Sequence, residues 1–308
     1  MTILSHEPTD LSSSRSARRA VVMTMGALHD GHASLIRAAR DWVGGEGQVV
    51  VTVFVNPLQF GPAEDFERYP RSLSADVEVS AAAGADLVFA PTAATMYPAG
   101  EPSTRVLPGP VADELEGAVR PGHFSGMLTV VLKLLSLTAP DAAFFGEKDY
   151  QQLVLIRRMA ADFNLPAEIV AVPTSREPDG LARSSRNRYL DRDQRRAAVA
   201  IPRRLRAGQL VASRGGGAAD VLESAGAELT GQEVDYLELR GPDLESTPAT
   251  GEARLLVAAR FGATRLLDNA AILLNPASAG RGHPASAVRG HARRPAPGDA
   301  PGHPEGSA

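Results

Sequence analysis

The sequence predicts an α/β protein, a doubly wound parallel sheet followed by a smaller C-terminal α+β domain, and three observations predict it. Short apolar, β-branched runs alternate with stretches of helical periodicity over the first half of the chain, as buried parallel strands and their crossover helices require. One such run leads directly into a turn rich in Gly and His that opens a helical pattern. Past about Ser175 the order changes to helical stretches and then three consecutive strand-like runs, which suits an antiparallel sheet.

Residues 1–19 are polar, carry Glu7 and Asp10 beside their arginines and lack an apolar stretch, so a flexible N-terminus with no secretory or transit signal is expected. Ala20-Val21-Val22-Met23 reads as a buried strand, and Leu35, Ile36, Ala39 and Trp42 then recur at helical spacing. Further strands are expected at Val49 to Val55, Asp86 to Ala90, Ala142 to Phe145 and Glu168 to Val172, with an apolar helix through Met127 to Leu137. Together these make residues 20–174 a Rossmann-like domain whose ligands sit at the carboxyl ends of the strands. In residues 175–274 a helix from Asp193, broken near Pro202, and another from Ala218 precede strands at Glu233 to Arg240, Ala253 to Arg260 and Thr264 to Leu273. Residues 275–308 are mostly Gly, Pro, Ala, Ser and Arg and cannot bury enough surface to offset their ordering entropy, so a disordered tail is expected.

The 308 residues are 44% hydrophobic and 22% charged, ordinary for a globular protein with a sizeable core. A net charge of −4 gives no electrostatic reason to expect nucleic acid or an anionic membrane, and no apolar run reaches membrane-spanning length. The absence of cysteine excludes disulfides, thiolate catalysis and Cys-based metal sites, and is compatible with a cytoplasmic location.

Thr24-Met25-Gly26-Ala27-Leu28-His29-Asp30-Gly31-His32 is the most informative segment. It places two imidazoles, three residues apart and so on one face, at a helix start whose unpaired N–H groups and positive dipole end favour phosphate. Gly26 and Gly31 let phosphate oxygens approach the backbone. A His pair at this spacing could also be half of a zinc site or a surface feature without a role. No cysteine is available to complete the former, and the glycines and strand-to-helix context weigh against the latter. A second signal is compositional: of 32 basic residues only Lys133 and Lys148 are lysine. In a chain that uses arginine as its general cation, a retained lysine marks a place where the guanidinium fork does not fit. Lys148 is the candidate point charge on phosphate, whereas Lys133 reads as a stem snorkelling from a packed helix.

These segments resemble the HIGH-type nucleotidyltransferases, and within them the pantoate–β-alanine ligase family. The resemblance extends through Phe54-Val55-Asn56-Pro57-Leu58-Gln59-Phe60-Gly61, Tyr69-Pro70-Arg71, Arg120 to Gly126, Phe144 to Gln152 and Ser184 to Leu190, five blocks in the family's order. It implies ATP-dependent condensation of (R)-pantoate with β-alanine through a pantoyl adenylate, with AMP and pyrophosphate released, and a homodimeric assembly. As catalytic groups it implies His32 at the α-phosphate, His29 nearer the β and γ groups, Lys148 and Arg186. The nucleotide would also meet Met25 to Gly31, Gly146 and Glu147, Asp149, Ser175 and the Arg183-Ser184-Ser185-Arg186 segment, which stands where the family has its mobile second signature. Asp149 is expected to touch nucleotide or simply to cap the helix through Leu153. Gln59 and Gln152 match the two pantoate-binding glutamines, with Asn56, Tyr69 and His123 in the same blocks. Magnesium should accompany the triphosphate, and Asp76 is the one remaining candidate ligand from the family's acidic positions.

Three departures accompany the resemblance. Met23 replaces the usual proline beside the pantoate pocket, Arg183 replaces an apolar residue, and the metal-side carboxylates are thinned to Asp76. They motivate one alternative, a degenerate nucleotide-binding paralogue serving as a scaffold, against which the intact His29, His32, Lys148 and Arg186 argue. A second alternative, another HIGH-type nucleotidylyltransferase acting on a phosphate acceptor, is disfavoured because Gln59 and Gln152 suit a small hydroxy acid and no separate basic cluster is evident.

Overall fold

Six strands, β1 (Ile3–Ser5), β2 (Arg19–Thr24), β3 (Gln48–Val53), β4 (Leu87–Phe89), β5 (Ala142–Gly146) and β6 (Glu168–Val172), pair in parallel in the order β1-β4-β3-β2-β5-β6. The computed structural model describes residues 2–11, 18–61, 66–67, 69–227 and 232–275; the tail expected over 275–308 lies, past Asn275, outside the described residues. The central strands are continuously apolar because both faces are covered, Val-rich in β2 and β3 and Ala-Phe in β5. On one face Val21, Val50, Ala143 and Phe145 meet Phe124, Leu128 and Leu135 of one helix and Leu153 and Ile156 of another. On the other, Ala20, Val22, Val49, Val51 and Phe144 meet Ile36, Ala39 and Val43. The covering helices are α1 (Asp30–Val43), α2 (Leu73–Ala82), the short α3 (Ala93–Met96) and α4 (Glu116–Val119), α5 (His123–Thr138) and α6 (Tyr150–Asp162).

The order reverses at β2, whose neighbours are β3 on one side and β5 on the other. Chain leaving β2 and chain leaving β5 therefore diverge to opposite faces and open a crevice at their carboxyl ends, where open α/β sheets bind ligands. The turn with the two histidines follows β2, and Lys148 follows β5.

The N-terminal stretch departs from expectation. Ile3–Ser5 forms the edge strand beside β4, and Leu11, 1% exposed, is part of the core on the α5 side. Three residues pairing along one edge, flanked by Thr2 and His6, leave no periodicity to read, so polarity alone misjudged this segment.

The second sheet is antiparallel, β7 (Glu233–Arg240), β8 (Gly251–Phe261) and β9 (Thr264–Leu274) in that order. α7 (Arg192–Ala198), α8 (Ala200–Ser213) and α9 (Ala218–Gly226) precede it. Ile201 and Leu205 of α8 and Val221 of α9 pack on Leu255, Val257 and Ile272 of the sheet. The helix break expected near Pro202 falls at Val199 instead. Pro202 sits in the first turn of α8, where backbone N–H groups have no intrahelical acceptor and proline removes nothing. Partly buried polar contacts join this sheet to α4: Arg265 grips Glu116 with two bonds of 2.6 and 2.8 Å, and the Tyr236 hydroxyl donates to the same carboxylate at 2.6 Å. Among the described residues no helix is long and apolar enough to cross a membrane.

Candidate active site

Beyond β2 the backbone turns through Gly26 (φ 85°) and Ala27 (φ 52°), an unusual conformation for a residue with a Cβ. Asp76, on α2 and 1% exposed, holds it there: its carboxylate accepts the N–H of Ala27 at 3.2 Å and of Leu28 at 2.8 Å. A Cβ on residue 26 would lie 2.9 Å from the same carboxylate, so Gly26 serves a close packing contact rather than an open phosphate surface. Asp76, expected as a metal ligand, is engaged here by backbone amides instead. Both its oxygens face the rear of the turn, it is absent from the crevice wall, and its work is to hold the strained backbone.

The two histidines cap the helix that follows. His29 is the N-cap of α1 and its Nδ1 accepts the Gly31 N–H at 3.0 Å; the His32 Nδ1 accepts the His29 N–H at 3.3 Å. Two imidazoles thus form a reciprocal capping box, a task usually given to a hydroxyl and a carboxamide or carboxylate. Each ring, having spent Nδ1 as an acceptor, carries its proton on Nε2 when neutral, and that edge is left to donate. The ring centroids are 4.2 Å apart. Burial, then the neighbouring His29 ring, push the His32 pKa down to about 3, and burial followed by the Lys148 charge lowers that of His29. His32 is therefore a neutral N–H donor at physiological pH, rather than the imidazolium its ordinary pKa allows.

The sign of the linkage follows. The unfolded chain takes up a proton on His32 near pH 6.5, whereas the folded protein resists until about 3. The stability this residue contributes is complete above pH 6.5 and is lost as pH falls through that interval. Nitrogen-15 NMR of the free protein should show His32 as the Nε2–H tautomer with no titration between pH 8 and 5; a midpoint near 6.5 would contradict this assignment.

The turn after β5 supplies the opposite wall. Gly146 ends the strand, Glu147–Asp149 make a 310 turn, and α6 follows. Asp149 occupies the N-cap position but caps nothing with its side chain. Instead its carboxylate lies 3.3 Å from the Lys148 ammonium. Burial raises its pKa, but Lys148, Arg186 and His32 outweigh burial and hold the carboxyl below its ordinary range. The Lys148 side chain is 18% exposed and that of Asp149 50%, so the pair is open to the crevice and screened in part by solvent.

The Arg183 to Arg186 segment closes a third side. Arg183 pairs with Asp30 at 2.9 Å, joining this segment to the first turn of α1, and Ser184 caps the 310 turn Ser185–Tyr189 by accepting the Arg186 N–H at 3.2 Å. The Ser175 carbonyl accepts the Arg183 N–H at 2.9 Å.

At the far end of the crevice Gln59, 7% exposed, accepts a 3.1 Å hydrogen bond from Asn56 at Oε1 and turns its Nε2 toward the Met25 sulfur at 3.0 Å. Asn56, expected to touch substrate, is off the crevice wall. Its amide donates to Gln59 and to the Gly126 carbonyl and accepts from Tyr97 at 2.9 Å, so it supports Gln59 from behind. His123 binds the Gln59 carbonyl at 2.9 Å and faces the crevice, as do Tyr69, Gln152 and Met23. A Cβ on Gly126 would come within 2.0 Å of the Leu58 carbonyl, so α5 can approach the Gln59 turn this closely only through glycine. Gly126→Ala should displace Gln59, lowering the melting temperature and raising the KM for the acid substrate, with a stability cost of about 1–3 kcal/mol. A variant with unchanged stability and kinetics would show that the turn tolerates displacement.

These walls enclose a cavity of about 1010 Å³ lined by His29, Gly31, His32, Gly146, Lys148, Asp149, Ser175 and Arg183 to Arg186 on one side and Met25, Gln59, Tyr69, His123 and Gln152 on the other. Gly26, Ala27, Leu28, Asp30, Asn56, Asp76 and Glu147 are not part of this lining. Sequence reasoning missed the contribution of the second sheet: Tyr236, Arg265, Asp268 and Asn269 also line the cavity, together with Glu116 of α4. The available signal was the polar pair Asp268-Asn269 between the apolar runs Leu266-Leu267 and Ala270 to Leu274.

A parallel sheet with two anion-suited turns meeting where its order reverses, and enough room for a nucleotide beside a small acid, defines a nucleotidyltransferase-like α/β enzyme. Comparison with known proteins makes the class specific. Residues 4–271 match the family model of pantoate-beta-alanine ligase. A pantothenate synthetase from Salinispora arenicola is 54% identical over 285 residues, covering 90% of this chain and all of the relative. The crystal structure of the Thermus thermophilus pantothenate synthetase superimposes with a TM-score of 0.82 at 45% identity, over 88% of this chain and 99% of that one. The Francisella tularensis pantoate-beta-alanine ligase, complexed with beta-gamma ATP and beta-alanine, matches with a TM-score of 0.72 at 35% identity over 87% and 97%. The chain belongs to the pantoate–β-alanine ligase family, ATP-dependent amide-forming ligases that condense pantoate with β-alanine to pantothenate.

Proposed function

We propose that the crevice performs this condensation in two steps through a pantoyl adenylate. A pantoate carboxylate oxygen attacks the α-phosphorus of ATP, forming the new O–P bond as the bond to the bridging oxygen breaks and pyrophosphate leaves. The β-alanine amine then attacks the acyl carbon, the C–N bond forms, and AMP departs with the oxygen that pantoate contributed. Both steps are governed by positioning and by stabilising charge on phosphate oxygens.

The observation that carries this reading is the reciprocal cap, which fixes both imidazoles as Nε2–H donors beside the Lys148 ammonium. In the proposal His32 donates to the α-phosphate and His29 to the outer phosphates, Lys148 and Arg186 neutralise developing charge, and the hydroxyls of Ser184 and Ser185 complete the enclosure. Ser184 accepts a backbone N–H at its oxygen and so keeps its proton for donation. Gln59 and Gln152 hold pantoate, with Tyr69 and His123 around them. Because Asn56 occupies its oxygen, Gln59 offers N–H toward the acid. Arg183 acts as a latch on Asp30, a use that accounts for its presence where an apolar residue was expected.

Magnesium enters this reading with the triphosphate, coordinated by phosphate oxygens and water. Among the described residues no three His, Asp or Glu side chains gather to hold a metal, and Asp76 is spent on backbone, so no step is routed through a protein-held ion. Homodimeric assembly and a cytoplasmic location complete the proposal, the first supported by the family resemblance and the second by a cysteine-free chain.

Exchange of labelled pyrophosphate into ATP tests it. Pantoate-dependent exchange without β-alanine is the expected result. Exchange only with a phosphorylated acceptor would favour AMP transfer to phosphate, and none with any acceptor would favour a scaffold.

A further inference from the structure

We propose that Asp268 and Asn269, neighbours on β9, are positioning residues that set the Lys148 turn and the Arg183–Arg186 segment in register with one another. The proposal rests on the reading of Lys148 and Arg186 as nucleotide contacts. Successive residues of a strand point to opposite sides, so one dipeptide can reach two loops.

Asn269, 2% exposed, donates from its side-chain amide to two consecutive carbonyls, Glu147 at 2.9 Å and Lys148 at 2.8 Å. Its own oxygen is fixed by Arg254 Nε at 2.6 Å, and Arg254 also holds the Glu147 carboxylate at 2.9 Å while lying 4.0 Å over the Tyr150 ring. The orientation of the Asn269 amide is therefore determined, and with it the peptide planes from which the Lys148 side chain springs.

Asp268, 3% exposed, takes the Arg176 guanidinium on both oxygens at 2.6 and 3.0 Å. Arg176 pairs as an antiparallel bridge with Ala182, the residue before Arg183. A displacement of Arg176 is thus carried to the signature segment across a single bridge. The Asn269 N–H donates to Asp268 at 2.8 Å, closing the connection between the two anchors. Neither side chain needs to touch nucleotide for this role.

Asn269→Asp is the informative variant. It preserves volume and the acceptor for Arg254 but cannot donate to the two carbonyls. Steady-state kinetics should show the KM for ATP raised by about tenfold, with the KM for pantoate within about twofold of wild type. Asp268→Asn, acting from the other loop, should give the same ATP-selective loss, and in the double variant the two losses should fall short of their product. Should Asn269→Asp fail to fold, Asp268→Asn alone carries the test by the same selectivity. Equal losses for both substrates with a parallel fall in melting temperature would mean general destabilisation and overturn the proposal. Lys148→Ala, measured alongside by equilibrium ATP binding, separates the two levels. If it weakens ATP while the β9 variants do not, the coupling is wrong and the ATP site stands; if it leaves ATP binding unchanged, the site reading fails and the coupling with it.

Discussion

His32→Ala should reduce pantoate-dependent pyrophosphate exchange by at least about a hundredfold, the cost of removing one donor aimed at developing phosphate charge. Its Nδ1 caps the His29 N–H, so the same variant also loses part of a helix cap, at about 0.5–2 kcal/mol of stability. His32→Asn separates the two effects. A side-chain oxygen near the Nδ1 position keeps the cap, while the amide N–H groups of the shorter side chain stop short of the Nε2 position. The expected result is wild-type melting temperature with activity as low as in His32→Ala. Near-normal exchange by a folded His32→Asn would show that the imidazole is needed only as a cap, and the crevice would lose its proposed α-phosphate donor.

Lys148→Arg should be nearly as damaging, although it conserves charge. The side chain is 18% exposed and its ammonium already lies 3.3 Å from Asp149, in a crevice that Arg183 and Arg186 also enter. A guanidinium is longer and planar, and cannot place one compact charge where the ammonium sits. Losses of about a hundredfold are expected, carried mainly by kcat if the contact strengthens in the transition state. Almost every other cation of this chain is arginine, so activity near wild type would show that nothing about position 148 selects lysine. Pantoate KM serves as the internal control, because the lysine and Gln59 stand on different walls.

How much of this was legible in the sequence depended on whether the signal was local. Strands β2, β3 and β5 announce themselves because burial on both faces leaves continuous apolar runs, β-branched in β2 and β3 and Ala-Phe in β5, and the His29–His32 turn because its residue types and spacing are contiguous. β1 was not legible: three residues on a sheet edge carry no periodicity. The residue types at 56, 76 and 149 were visible, but not the side of the turn each would face. Asp76 is engaged by amides 48 and 49 residues earlier, and Asn56 by Tyr97, 41 residues later. Such long-range hydrogen bonds decide whether a polar group meets substrate or supports a residue that does. The same limitation concealed Asn269, whose partners at Glu147 and Lys148 lie more than a hundred residues away. Pro202 shows the reverse case, a strong local signal placed where the first helical turn makes it harmless.

In the proposed reaction pantoate is activated on its carboxylate in this crevice by the α-phosphate of ATP. The most direct measurement follows carboxylate oxygen from pantoate labelled with oxygen-18 through one turnover with ATP and β-alanine. Attack on the α-phosphorus predicts one labelled oxygen in AMP and none in pyrophosphate. Label in inorganic phosphate or pyrophosphate, with unlabelled AMP, would mean that activation takes place at another phosphorus and would contradict the assignment of His32 and Lys148.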